Sequence, residues 1–191
     1  MALRILLVDT GSKRSAELVE LLAELEFEVI GPVSESDDLY DCMPRIKPDV
    51  VVIASDSPRR DTLEHLSGMH SRHPRPMVML SQEADPHLTR AAAQAGINAY
   101  VVEGLSAPLV RSLIEVTMLV FLNQETLRAE LDTSKQNLSN YKTIDKAKAH
   151  IIQHFNLSEA AAHSQLRRLS QDQRKPLVAI ARDILSKLPR G

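Results

Sequence analysis

Basic side chains concentrate near the C-terminal end of the chain, where they could bind the phosphates of a nucleic acid. Residues 141–191 hold 10 basic and 4 acidic side chains, a net charge of +6, whereas residues 1–140 hold 13 basic and 21 acidic ones, a net charge of −8. This asymmetry is typical of an acidic globular part joined to a basic part that meets a polyanion. The candidate phosphate ligands are Lys142, Lys146, Lys148, Arg167, Arg168, Arg174 and Lys175.

Other side chains that could do chemistry are few. His150 and His154 stand four residues apart, the spacing of two metal ligands on a helix, but no acidic residue completes a zinc site, so exposed histidines are the favoured interpretation. The single Cys42 excludes an internal disulfide and a thiolate zinc cluster. Aromatic residues make up 3% of the chain and Trp is absent, which disfavours a base-stacking platform of interleaved aromatics. We expect no metal and no cofactor.

The elements that would position these residues begin with an alternating pattern. Short apolar runs predict strands at residues 4–8, 29–33, 49–54, 76–80 and 99–102, and apolar residues at helical spacing predict helices between them. Five such βα units predict an α/β fold, a doubly wound (βα)5 parallel sheet over residues 1–120. Functional residues in such a fold lie in the loops at the carboxyl ends of the strands.

A long helix is predicted next, because neither Gly nor Pro occurs between Leu109 and Arg174. Apolar residues spaced alternately by three and four predict a coiled-coil linker over residues 107–140 that pairs with a second copy. The dimer seam consists of Leu113, Val116, Val120, Asn123 and Leu127. Asn123 would fix the register of the pair. The alternative is a helix that folds back on its own domain.

The remaining residues, 135–191, predict a three-helix, all-α domain. The long helix continues to about His154, Ser158 offers an N-cap for a second helix, and Pro176 marks the start of a third. So small a unit has little core of its own.

Two stretches of the sequence resemble known families. Residues 48–58, Pro-Asp-Val-Val-Val-Ile-Ala-Ser-Asp-Ser-Pro, resemble the phosphoacceptor strand and loop of response-regulator receiver domains. Residues 144–149, 158–162, 166–170, 174–175 and 180–181 resemble the ANTAR domain of transcription antitermination regulators. Residues 56–64 are similar to the nitrate-assimilation (NasT-like) subgroup. The resemblance places the receiver at 1–120 and the ANTAR domain at 135–191.

The phosphoacceptor pocket that the resemblance implies is degenerate. Receivers phosphorylate an Asp at the end of the central strand with the help of magnesium, and here that position aligns with Ala54. The other pocket positions are Asp9, Thr10, Ser81 and Glu103, the last standing where receivers have a Lys. An alanine supplies neither a nucleophile nor a metal ligand. We therefore predict a pseudo-receiver that works through binding, with Asp56 as the alternative acceptor.

The resemblance implies a transcription antitermination regulator of the two-component type that binds RNA, namely tandem hairpins in leader transcripts. The basic residues would hold phosphates, and Ala147 and Ala162 would let the backbone approach loop bases. A sensor protein, for the nitrate subgroup a nitrate-binding one, would control it through the receiver. We expect a cytoplasmic homodimer that is not an enzyme and meets no membrane. A dimeric DNA-binding regulator and a protein-interaction adaptor without nucleic acid remain alternatives.

Overall fold

The computed structural model describes residues 2–10, 12, 15–34, 39–83, 85–102 and 106–187. Two compact units divide the chain, residues 1–125 and residues 126–191. The predicted fold class is confirmed: an α/β unit with a parallel sheet comes first, a long helix follows, and the C-terminal unit is helical. The division at residue 125 falls inside the segment predicted as a linker.

Five parallel strands form the sheet of the first unit, in the order β2-β1-β3-β4-β5. The strands are β1 (Arg4–Asp9), β2 (Glu28–Ser34), β3 (Val50–Ser55), β4 (Met77–Ser81) and β5 (Ala99–Val102). β3 is central and buried along its whole length, as its β-branched run predicts.

Helices cover both faces of the sheet. They are α1 (Ser15–Glu24), α2 (Leu39–Ile46), α3 (Arg60–Arg72), α4 (Pro86–Gln94) and the start of α5 (Ala107–Phe155). Alternate β3 residues point to opposite faces, so Val51 and Ile53 pack with residues of α2, α3 and α4, whereas Val52 and Ala54 pack with residues of α1 and α5. The connections return every strand parallel to its neighbour, which brings all carboxyl ends to one edge.

The second unit consists of the end of α5 with α6 (Glu159–Gln173) and α7 (Leu177–Ser186). Ser158 caps α6 as predicted, its Oγ accepting a hydrogen bond from the Ala161 amide at 3.3 Å. Pro176 is the N-cap of α7. The core of this unit alternates small and large side chains, namely Ala147, Ile151, Ala162, Leu166, Ile180 and Ala181.

Candidate functional site

Four of the predicted pocket residues lie together at the carboxyl edge of the sheet. Asp9 pairs with Ala54 across β1 and β3, and the last residue of β3, Ser55, pairs with Ser81 of β4. Thr10 closes the β1 side, donating to the Ala54 carbonyl from its amide at 3.0 Å and from its Oγ1 at 3.1 Å. Glu103 lies outside the described residues.

Ala54 belongs to the hydrophobic core. Only 3% of its surface is exposed, and it packs in one cluster with Val52, Leu80, Val110 and Ile114. The position aligned with the phosphoacceptor therefore places a methyl group against apolar side chains from β4 and α5.

The carboxylates of Asp9 and Asp56 share one hydrogen-bond donor residue. The Ser12 amide donates to Asp9 Oδ1 at 2.8 Å, and the Ser12 hydroxyl donates to Asp56 Oδ1 at 2.9 Å. Ser81 Oγ donates to the Asp56 carbonyl at 3.3 Å. The role of Ser12 was not predicted from the sequence, although a hydroxyl residue just after a strand is an ordinary signal of a loop at this edge.

The residues present do not fit the magnesium ion that a receiver fold implies. Magnesium prefers near-octahedral oxygen ligands with compensating negative charge. Here position 54 has no oxygen in its side chain, position 10 is Thr, and Ser12 donates to both remaining carboxylates. Within the residues that the structure describes, no three or more His, Cys, Asp or Glu side chains group as metal ligands.

The basic residues of the second unit differ in their availability. Six of the seven candidates are exposed. Arg168 Nε lies 3.9 Å from Asp172 Oδ2, and Lys175 Nζ lies 3.3 Å from Asp183 Oδ2. Pairs this exposed are weak and can yield to a phosphate.

Lys148 is the exception among these residues. Its side chain is 19% exposed, and its Nζ lies 2.9 Å from Asp145 Oδ1 and 3.1 Å from Glu159 Oε1. Hydrogen bonds first to Asp145 and then to Glu159 raise the pKa of Lys148 above its ordinary value. Two carboxylates already compensate this ammonium, which joins α5 to the start of α6 and is a poor candidate for a phosphate ligand.

Arg174 and Lys175 form the turn after α6. Arg174 has a left-handed backbone, with φ of 51°, and its amide donates to the Gln171 carbonyl at 3.2 Å. This conformation ends the helix and places two cationic residues beside its last carbonyls, where positive charge is favourable.

The predicted contact of Ala147 and Ala162 with RNA is wrong. Both residues are fully buried, with 0% exposure, in the core of the three-helix unit. Their small side chains let helices pack closely against each other, so the close approach that they permit is between helices of this unit.

The predicted dimer seam is largely exposed in the single chain. Val116, Val120 and Leu127 are 56%, 40% and 64% exposed, whereas Leu113 packs partly against the core beneath α1 and α5. Eight Leu and Val side chains of α5 are at least 40% exposed. Six of them stand alternately seven and four residues apart and form what we call the apolar stripe: Leu109, Val116, Val120, Leu127, Leu131 and Leu138. The other two are Leu119 and Leu122. The spacing of the stripe is an eleven-residue repeat, about 3.67 residues per turn, which favours a straighter or right-handed pairing over the left-handed one of a strict heptad.

The structure also places Arg60 at the start of α3 and three histidines in the second unit. Arg60 Nε pairs with Glu64 Oε1 at 2.8 Å, and the hydrogen bond to Glu64 raises the pKa of Arg60. His150 and His154 stack ring on ring, with centroids 5.6 Å apart and planes 15° apart, and His163 is exposed on α6.

Comparison with known proteins gives a family match for the second unit and a fold likeness for the first. Residues 126–185 match the ANTAR domain. The chain therefore has the domain arrangement of an ANTAR response regulator, a receiver-like fold followed by an ANTAR domain. It is 25% identical over 185 residues to the transcriptional regulatory protein PdtaR of Mycobacterium tuberculosis, covering 97% of this chain and 90% of PdtaR.

Solved structures similar to the first unit include two receiver domains. One is the signal receiver domain of a modulated diguanylate cyclase from Desulfovibrio desulfuricans G20, with 18% identity, a TM-score of 0.56, and coverage of 65% of this chain and 99% of that one. Another is a CheY-like receiver domain protein from Methanospirillum hungatei JF-1, with 16% identity, a TM-score of 0.54 and the same coverage. At these identities the likeness shows the fold alone. None of the described helices is long and apolar enough to cross a membrane.

Proposed function

We propose that this protein is an RNA-binding regulator of transcription antitermination. The observation that carries the proposal is the ANTAR match over residues 126–185, which falls on the basic unit of an otherwise acidic chain. Residues 126–191 hold 12 basic and 6 acidic side chains, and the PdtaR relative is named a transcriptional regulator. The RNA would be a pair of adjacent stem-loops in an mRNA leader, held in a form that prevents termination.

Exposed cations of this unit supply the affinity for phosphates. Lys142, Lys146 and Arg167 are exposed, and Arg174 and Lys175 extend the basic surface at the turn after α6. Contacts to phosphates position a protein on RNA but carry no sequence information, so recognition of the correct leader requires additional contacts to unpaired bases.

The receiver-like unit would control this activity by binding a sensor protein. Ala54 in the core and the shared hydrogen bonds of Asp9 and Asp56 support control without phosphorylation. The likeness of residues 56–64 to the nitrate-assimilation subgroup favours a nitrate-binding sensor. The protein would act in the cytoplasm, where transcripts are made, and without enzymatic activity.

A homodimer would present two ANTAR units to two adjacent hairpins. Its interface would be the apolar stripe of α5, whose six Leu and Val side chains are each at least 40% exposed. Joining two binding units raises overall affinity through effective concentration, with no new contact to either hairpin.

The test is binding of the full chain to three probes of equal length: a tandem-hairpin RNA, a single-hairpin RNA and a duplex DNA. We expect the order of affinity tandem hairpin, single hairpin, duplex DNA. Tightest binding to duplex DNA would instead establish the DNA-binding alternative, and binding to none of the probes would favour the adaptor.

A further inference from the structure

An apolar cleft of about 560 Å³ opens at one end of the ANTAR unit. It is lined by His150, Ile151, His154, Phe155, Gln165, Leu169, Ile184 and Lys187. All of these residues belong to the three helices of one unit or directly follow the last of them. The volume is in the range of cavities that hold small organic groups.

Flat rings form one side of the cleft. His150 and His154 stack with centroids 5.6 Å apart, and the Phe155 ring meets His154 edge-on at 5.0 Å. Phe155 is 57% exposed, so its ring is accessible to a ligand that enters the cleft. Stacked rings of this kind provide a surface on which a nucleobase can stack. A count of Phe, Tyr and Trp alone misses this surface because two of its three rings are histidines.

The lining also includes a polar atom without a partner. The Oε1 atom of Gln165 is buried and accepts no hydrogen bond from any described residue. A buried acceptor left unpaired costs free energy, which rotation of this amide toward a ligand that donates a hydrogen bond in the cleft would recover. The exocyclic amino or ring N–H groups of nucleobases are such donors.

The charge of the cleft and its unit selects among possible occupants. Lys187 lines the cleft, and residues 126–191 carry a net charge of +6. A fitting ligand therefore has a flat, apolar part with hydrogen-bond donors, which enters the cleft, and an anionic part, which stays outside. A metal ion does not fit, since the cleft offers two His and no Cys, Asp or Glu.

We propose that this cleft holds a single unstacked base from the loop of an RNA hairpin. The base stacks on the Phe155 ring, contacts His154 with its edge, donates a hydrogen bond to Gln165, and leaves its phosphate near Lys187. This inference rests on the proposed RNA-binding function and names the residues that read the loop.

The experiment uses a two-hairpin RNA that the wild-type chain selects from a pool with fixed stems and randomised loops, together with the same RNA carrying abasic loops. His154→Ala and Phe155→Ala change exposed side chains and should leave the fold intact, which circular dichroism verifies. We expect each to weaken binding of the selected RNA by roughly 5- to 100-fold, the cost of losing one stacked base. Binding of the abasic RNA should not change. His163→Ala, an exposed histidine of the same unit outside the cleft, is the matched control.

A second readout follows the base itself. With 2-aminopurine placed at each loop position in turn, the wild type should quench the fluorescence at one position per hairpin, and Phe155→Ala should restore it. Equal loss of affinity on selected and abasic RNA, or wild-type binding by both cleft variants, overturns the inference while the proposed function stands. A change in self-association without a change in RNA binding also overturns it, since the cleft then docks protein. If the wild type selects no RNA, the proposed function and this inference fail together.

Discussion

The hydroxyl of Ser12 donates a hydrogen bond of 2.9 Å to Oδ1 of Asp56, the residue considered as an alternative phosphoacceptor. This contact joins the loop after β1 to the loop after β3. It orients the Asp56 carboxylate toward the β1 loop, and no third carboxylate lies with Asp9 and Asp56 among the described residues.

We predict that acetyl phosphate with magnesium leaves the protein unmodified, because Ala54 offers no nucleophile and Asp56 is held by Ser12. Intact-mass spectrometry measures the outcome, with a receiver domain that has the full acidic pocket treated in parallel. A phosphoryl adduct mapped to Asp56 or Asp9 would contradict the pseudo-receiver interpretation.

Val120→Asp should dissociate the dimer, since it places a carboxylate within the apolar stripe of α5. Ala129→Asp is the control, because Ala129 is exposed on α5 outside the stripe. Analytical ultracentrifugation should give half the wild-type mass for the first variant and the wild-type mass for the second. Equal masses for both variants would place the interface elsewhere.

Arg167→Ala should weaken binding to all hairpins alike and reduce the slope of log affinity against log salt by about 0.7, one contact's worth of released counterions on single strands. Arg167 is exposed on α6, whereas Arg90→Ala changes an exposed arginine of α4, in the first unit, and should leave the slope unchanged. Titrations at several salt concentrations measure both slopes. An unchanged slope for Arg167→Ala would remove this residue from the RNA interface.

Ala147→Leu should destabilise the ANTAR unit by about 1–3 kcal/mol, because Ala147 has no exposed surface and the added atoms overpack a core between helices. Ala149→Leu adds the same atoms at an exposed position of the same helix and should cost much less. Thermal unfolding of the two variants gives the comparison. Loss of RNA preference by Ala147→Leu at wild-type stability would restore the direct contact predicted from sequence.

The ion pairs of Lys148 should make stability depend on pH at the alkaline end. Because Asp145 and Glu159 raise the pKa of Lys148 in the folded chain, its stabilisation is complete below the unfolded pKa of about 10.4 and is lost as pH rises through the higher folded value. The difference in free energy of unfolding between wild type and Lys148→Met should therefore be constant near neutral pH and shrink above about pH 10.4. Lys146→Met, at an exposed lysine, should show no such change. Denaturant titrations across this pH range measure the free energy of unfolding of each variant. Identical pH profiles for Lys148→Met and Lys146→Met would contradict the stabilising role of the Lys148 ion pairs.

The sequence predicted the architecture well because the architecture depends on periodicity. The apolar run of β3, the N-cap at Ser158 and the uninterrupted helix after Leu109 are local signals, and each appears as expected. Residue type alone was insufficient where function depends on which way a side chain points. Ala147 and Ala162 looked like points of close approach to RNA, but only the packing of α5, α6 and α7 shows that they face inward.

Contacts between residues far apart in the chain could not be predicted from the sequence either. Ser12 and Asp56 stand 44 positions apart, and nothing in either neighbourhood indicates their hydrogen bond. Similarly, the spacing of His150 and His154 favoured exposed histidines over a metal pair but did not predict that their rings stack, or that they line one cleft with Gln165 of another helix.

The methyl group of Ala54 also bears on how long a signal lasts. A regulator marked by an acyl phosphate keeps a memory of its stimulus until that bond is hydrolysed. A chain with alanine at this position stores no such covalent record there. Under the proposed control by a sensor protein, the duration of the response would be set by the rate at which that partner dissociates from the receiver-like unit, and the switch would reverse without a phosphatase.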